Sequence, residues 1–251
     1  MNNIKYEMCL DYLNSKYKVK MSLRENSIRC KNNNISIHKK NLVIDTFGNA
    51  SLRFESKILI KPSGIDISEI KEEEISIIDL ITSKKISGKK PSSDTPTHLE
   101  IYRAFPEIGG IVHTHSLYAT AWAQAAKSIP CYGTTHADYW KREVPITRQL
   151  REEEINGEYE AETGKVIIET LKSLGLSPLE CPGILVAYHG PFTWGSTIEE
   201  AVRNAEILEY VARMAWITKQ ISPEVGALDQ TLHQRHFSRK HGPNAYYGQS
   251  Q

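Results

Sequence analysis

Apolar residues in this chain fall into runs with two different periods, separated by turn-forming residues. Leu42-Val43-Ile44, Lys57 to Ile60 and Ile75 to Ile81 are short runs bounded by Gly, Pro, Asn or Ser, the pattern of strands. Ile108 to His115 and Gly183 to Tyr188 read as two more, the latter buried and ending at His189-Gly190-Pro191, which turns the chain away. Between them the period changes. Ser93-Asp94-Thr95-Pro96 is a helix start, with capping side chains beside a first-turn proline, and Pro106 stops that helix after Phe105. Tyr118 to Ala126 and Glu160 to Leu174 read as helices. From Glu199 to Ile221 apolar side chains recur at three- and four-residue intervals (Ala201, Ala205, Leu208, Val211, Ala212, Ala215), the stripe of a long amphipathic helix. Without repeats or a long linker, this alternation predicts one α/β domain over 41–251.

The first 40 residues differ. They hold nine Lys/Arg against three Asp/Glu and the run Asn32-Asn33-Asn34, so they read as a divergent, basic, solvated lead-in. Met8-Cys9-Leu10, Tyr12-Leu13 and Tyr17 suffice for one short helix there. Over the whole chain, 31 Lys+Arg balance 30 Asp+Glu, which leaves no global field for nucleic acid or an anionic membrane. No apolar run has the length of a membrane span, and the N-terminus lacks a secretory pattern, so the expected compartment is the cytoplasm. Cys9, Cys30, Cys131 and Cys181 are too widely spaced for a zinc knuckle and are expected as free thiols.

Chemistry concentrates at His113-Thr114-His115. Side chains two apart on a strand share a face, so both imidazoles emerge together at a strand end and suit one divalent cation. A third ligand is needed. His189 is the best placed by its strand end, while His136, in a polar loop, and His98, expected to face out of its helix, compete. Asp94 is either a helix cap or a ligand or acid/base group. Three turns, Gly48-Asn49-Ala50-Ser51, Lys61-Pro62-Ser63-Gly64 and Lys89-Lys90-Pro91-Ser92-Ser93, offer small residues, hydroxyls and a cation fit to hold a phosphate.

Longer strings carry a resemblance. Lys90-Pro-Ser-Ser-Asp-Thr-Pro-Thr-His98, Ala104-Phe-Pro-Glu-Ile-Gly-Gly-Ile-Val-His-Thr-His115 and Gly133-Thr-Thr-His-Ala-Asp-Tyr139 resemble the class II aldolase/epimerase superfamily, and more narrowly its L-ribulose-5-phosphate 4-epimerases. Glu154 to Glu160, His189-Gly-Pro-Phe192, Arg239-Lys-His-Gly242 and Ala245 to Gln249 extend it over about residues 40–249. The resemblance implies a mixed central β-sheet layered by α-helices in a cyclic homotetramer, with active sites at subunit interfaces. It implies one Zn2+ per subunit, held by His113, His115 and His189 with Asp94 alongside. Asn49, Lys61, Ser63, Gly64, Ser92 and Ser93 would line a sugar-phosphate site. Asp138 and Tyr247 would be the acid/base pair, with His236 near the tail.

The implied activity is an isomerase interconverting L-ribulose 5-phosphate and D-xylulose 5-phosphate by breaking and remaking C3–C4, as in arabinose catabolism. The rival is a lyase such as an L-fuculose-phosphate aldolase, in which a Glu stands where this chain has Asp94. A catalytically impaired family member is the other alternative, because residues 1–37 do not match the Leu- and Ala-rich helix expected before the first strand and the loop between Ser51 and Lys57 looks shortened.

Overall fold

Strand residues alternate between two apolar cores, one on each face of a single sheet. Ile58, Ile60, Ile78 and Ile111 belong to one core, and their neighbours Leu59, Ile77 and Val112 to the other. The computed structural model describes residues 21–242 and 245–247. Its seven strands are β1 (Asn49–Phe54), β2 (Lys57–Ile60), β3 (Ser76–Asp79), β4 (Lys85–Ser87), β5 (Gly110–His113), β6 (Gly183–Val186) and β7 (Gly190–Gly195). They lie in the order β4-β3-β2-β1-β5-β7-β6. Every ladder between them is antiparallel, and the parallel pairing seen among the described residues is the isolated bridge Ile146–Leu185.

The helices are α1 (Leu23–Lys39), α2 (Thr95–Ala104), α3 (Leu117–Gln124), α4 (Thr134–Ala137), α5 (Glu152–Asn156), α6 (Tyr159–Ser173), α7 (Ile198–Ile221) and α8 (Gln230–His241). The periodic stretches around 95–105, 118–126, 160–174 and 199–221 thus form helices within a residue or two of their expected bounds. The first half of α7 (Ile198, Ala201, Val202, Ala205) enters the core on one face, and its second half (Leu208, Val211, Ala212, Ala215) the other. Gly110 permits this approach, because a Cβ there would stand 2.4 Å from the Ile198 Cα. No helix among the described residues is long and apolar enough to cross a membrane.

Three expectations are corrected. Leu42-Val43-Ile44 is no strand: Asn41 and Asp45 take positive φ, Leu42 and Val43 are buried, and Ile44 is exposed. The strand that pairs with β2 starts at Asn49, in a segment read as a turn. Gly48, at φ +77°, precedes it, and a Cβ there would sit 2.4 Å from Val43 Cγ1. Glu55 and Ser56 then form the tight turn of the β1–β2 hairpin, with Glu55 at φ 56°.

Gly190-Pro191 does not lead the chain away, since β7 folds straight back on β6 as a hairpin. Proline is tolerated there because β6 asks for no N–H from it: Leu185, its cross-strand partner, bonds Pro145 and Thr147 instead, and the Pro191 carbonyl accepts from Thr114 N–H at 3.3 Å.

Residues 23–39 are not a solvated lead-in. Ser22 and Glu25 form a capping box for α1, and Cys30, Asn34 and Ile37 are fully buried. The Asn34 amide works as an extra strand edge, donating to the Ala50 carbonyl at 3.0 Å and accepting from Ala50 N–H at 2.8 Å. Asn33 and the Arg29 guanidinium both donate to Glu199 on α7. These polar residues bury by pairing, which a count of charges does not reveal. The short helix expected over residues 8–17 lies outside the described residues. Cys30, Cys131 and Cys181 are buried free thiols.

Candidate active site

β5 delivers the first ligand candidate. His113 follows Ile111 on the same face, is 1 % exposed, and its Nδ1–H donates to the Pro191 carbonyl at 3.0 Å. A carbonyl only accepts, so Nδ1 carries the proton and Nε2 keeps its lone pair. Phe192, the cross-strand neighbour, stacks on the imidazole at 4.1 Å between ring centres. His115 lies just past the strand end, with its Nε2 3.0 Å from that of His113. His189 comes from the three-residue loop between β6 and β7. The ligand atoms of all three lie within 4.8 Å of one another.

His136 and His98, the competing candidates, are elsewhere. His136 is buried in α4, where it donates from Nε2 to the Arg142 carbonyl at 3.1 Å. His98 does not face out of its helix. α2 is packed between the sheet and α6, where Thr97 Oγ1 donates to the Glu160 carbonyl, and His98 is wholly buried with Nδ1 2.7 Å from Ser51 Oγ.

The triad fits a divalent cation. Tetrahedral coordination by imidazole puts ligand nitrogens about 3.3 Å apart, inside the spacing found here. Burial holds all three imidazoles below their ordinary pKa, His113 down to about 3, so each is neutral near pH 7 and offers a lone pair. Among the described residues, Nδ1 of His189 is buried without a hydrogen-bond partner, a costly arrangement for a nitrogen with no ligand role.

Strand register brings the polar turns to the same place. Asn49 pairs with His113 across β1 and β5, and the alternation that sends Ala50 to one core leaves Asn49 and Ser51 on the His113 face. The Asn49 Nδ2 donates to Asp94 Oδ2 at 2.6 Å and Ser92 Oγ at 3.1 Å, while its Oδ1 is buried with no partner among the described residues. Asp94 occupies the N-cap position of α2, but its carboxylate makes no cap hydrogen bond. It points to the Asn49 amide instead. Burial alone would raise its pKa; His113, His98, the Asn49 amide and His189 together outweigh that and hold it below the carboxylate range.

Lys61 is 2 % exposed, and its ammonium donates to the carbonyls of Thr46 (3.2 Å) and Pro62 (3.3 Å). Burial lowers its pKa, against the opposing pull of Asp94, Asp66 and Asp45. The loops 61–64 and 90–94 are zipped together: Ser63 N–H donates to the Lys90 carbonyl and Ser92 N–H to that of Lys61. Ser63, Gly64 and Ser93 are exposed at their rim, Gly64 at φ +68°. A buried cation, hydroxyls and the start of α2 thus adjoin Asp94 and, through Asn49, His113.

Asp138 and Tyr247 are gathered elsewhere. Arg239 of α8 forks onto the Asp138 carboxylate at 3.1 and 2.9 Å, and His236 Nδ1–H donates to it at 3.0 Å. The same guanidinium lies 4.1 Å from the centre of the Tyr247 ring. None of the contacts described for Asp138 or Tyr247 involves a triad imidazole. Sequence reasoning missed Pro191, which orients His113, and Phe192, which stacks on it. It also missed Tyr159, whose ring centre is 6.4 Å from that of His189. Pro191 and Phe192 directly follow His189-Gly190, so their position was the available signal.

Comparisons with known proteins bear on the family and the fold. The profile of the family described as "Class II Aldolase and Adducin N-terminal domain" matches residues 32–216. An L-fuculose 1-phosphate aldolase shares the fold at TM-score 0.73 and 22% identity, over 88% of this chain and 98% of its own. YgbL of Klebsiella pneumoniae, described as a putative aldolase/epimerase/decarboxylase, aligns at TM-score 0.68 and 25% identity over 86% of this chain and 99% of its own. Its Escherichia coli counterpart gives TM-score 0.68 and 24% identity, over 87% and 99%. The sheet, the histidine cluster and a profile match across well over half of the sequence lead to one conclusion: this chain belongs to the class II aldolase and adducin N-terminal domain family.

Proposed function

We propose that this protein is a metal-dependent enzyme acting on sugar phosphates, and specifically an epimerase interconverting L-ribulose 5-phosphate and D-xylulose 5-phosphate. The observation that carries the reading is the convergence of His113, His115 and His189 beside an Asn49–Asp94–Lys61 cluster able to receive an anionic polyol. The three imidazoles would hold the ion, zinc by family resemblance, with Asp94 next to them. Such an ion supplies Lewis acidity, which lowers the cost of negative charge developing on the ketone oxygen of the substrate.

C4, the centre to be inverted, has no proton acidified by a carbonyl, so deprotonation and reprotonation there is not available. C3 is alpha to the C2 ketone. Loss of the C4 hydroxyl proton therefore lets the C3–C4 pair of electrons pass to C3, leaving glycolaldehyde phosphate. Rotation of that aldehyde and re-addition of C3 to its other face restores the bond with C4 inverted. A proton acceptor is needed on each face of the aldehyde, and Asp138 and Tyr247 are assigned those roles. Lys61 with Ser63, Gly64, Ser92 and Ser93 would grip the phosphate and keep the fragment from escaping. Since the contacts of Asp138 and Tyr247 within one chain lie on its own α8, we assign completion of the site to a neighbouring copy in a homotetramer.

A coupled assay from L-ribulose 5-phosphate to D-xylulose 5-phosphate, with and without chelator, tests the reading. Turnover abolished by chelation is expected, and its absence from metal-loaded protein refutes the epimerase. The aldolase reading draws on the likeness to the L-fuculose 1-phosphate aldolase. Accumulation of aldehyde and ketone fragments in place of the epimer would favour it.

A further inference from the structure

Two of the three imidazoles sit on separate loops, and one short helix braces both. α3 starts at Leu117, two residues after His115. Near its other end, the Ala123 carbonyl accepts from Tyr188 N–H at 2.9 Å. Tyr188 immediately precedes His189 and is held at φ 62°, a left-handed conformation that L side chains rarely adopt. α3 therefore spans from the His115 loop to the His189 loop, and its placement helps set the spacing between the two rings.

The start of α3 is not capped by its own residues. Ser116 stands at the N-cap with an extended backbone, yet its side chain makes no cap hydrogen bond. Glu209, far along the chain on α7, takes that role. Its carboxylate accepts from Tyr118 N–H at 2.9 and 3.1 Å and from Ala119 N–H at 2.9 Å. An anion at a helix N-terminus satisfies otherwise orphaned N–H groups and meets the positive end of the helix dipole. A second tie, Trp122 Nε1–H to the Ala212 carbonyl at 3.0 Å, joins the same two helices further along.

We propose that Glu209 is a positioning residue for the His113/His115/His189 centre: by clamping α3 to α7 it fixes the spacing of the His115 and His189 loops and so sets the affinity for the ion. The inference rests on reading the triad as a metal centre and goes beyond it, because Glu209 touches none of the ligands. Its effect is transmitted through a helix with two attached loops.

The test measures Zn2+ affinity of the full-length protein by competition with a chromophoric chelator. It is paired with the visible absorption of the Co2+-substituted form and the melting temperature of the metal-free form. Glu209→Ala is expected to weaken Zn2+ binding by about tenfold or more, in the range of groups that orient metal ligands, and to alter the Co2+ bands. Glu209→Gln keeps one acceptor oxygen and is expected to fall in between; it carries the same readouts if the alanine variant does not fold. Glu206→Gln removes the same charge from α7 at a residue paired with Lys40 and is expected to leave Zn2+ affinity unchanged. A Glu209→Ala protein that melts lower yet keeps wild-type affinity and Co2+ bands overturns the proposal, since Glu209 would then serve the fold alone. A wild-type protein that binds neither metal overturns the metal centre and this inference together.

Discussion

The histidine triad and the C-terminal arm are built on opposite principles. His113 is a sheet residue, its ring packed on Phe192 and its Nδ1–H fixed by a backbone carbonyl. α8 has no buried residue at all. It is held by polar contacts: the Arg239 fork and His236 on Asp138, and the bonds of His233 and His241 to the carbonyls of Trp140 and Asp138. Beneath the arm lies a cleft of roughly 740 Å³, bordered by Cys131, Leu176, His233 and Phe237, that contains none of the triad. These are part-buried polar pairs, with side-chain exposures of 12–23 % for Asp138, His236 and Arg239, whereas the His113 ring is held by packing in the core. On the proposed reading the difference separates two jobs: the core would preset the geometry of the three imidazoles, and the arm would bring Tyr247 and hold Asp138 for proton transfer.

The largest effect should come from the core side. His113→Asn is expected to abolish metal retention, measured by elemental analysis after dialysis, and to lower turnover by about three orders of magnitude or more. Next, Tyr247→Phe is expected to reduce kcat by roughly 10²–10⁴ while the metal content stays at the wild-type level. Loss of metal in that variant would show the two regions to be coupled and would break the comparison.

A smaller effect sharpens it at the platform on which the arm rests. Burial pushes His136 from its ordinary value down to about 4. The unfolded chain binds a proton there near pH 6.5 and the folded chain does not until about pH 4. Stability from this group is thus complete above pH 6.5 and is lost as pH falls toward 4, by about 2–3 kcal/mol. Urea unfolding at pH 7.5 and 4.5 should show His136→Gln losing that much of the acid sensitivity. An unchanged pH dependence would place His136 in contact with water, and the platform with the arm rather than with the core.

Legibility in the sequence followed the range of the interactions. Amphipathic stripes are local, and the helices around 95–105, 160–174 and 199–221 could be read within a residue or two. Segments whose burial depends on a distant partner were misread. Asn34 looks solvated until it pairs with Ala50, and His98 looks exposed until α2 docks on the sheet and sets it against Ser51 and Phe192. β7 is hidden because a proline follows its first residue, and a central strand rarely tolerates one.

By itself the sequence determined that two imidazoles would share a strand face, that Asp94 would open a helix, and that the motifs belong to one family pattern. Period-two alternation and capping chemistry act over a few residues, so they survive in the linear order. Only the tertiary structure decided which of three candidate histidines joins the pair, and that Asn49 rather than the helix N-terminus engages Asp94. It also decided that Asp138 and Tyr247 meet through Arg239. Those choices depend on strand register and helix packing between residues far apart in the chain, where local pattern carries no distance information.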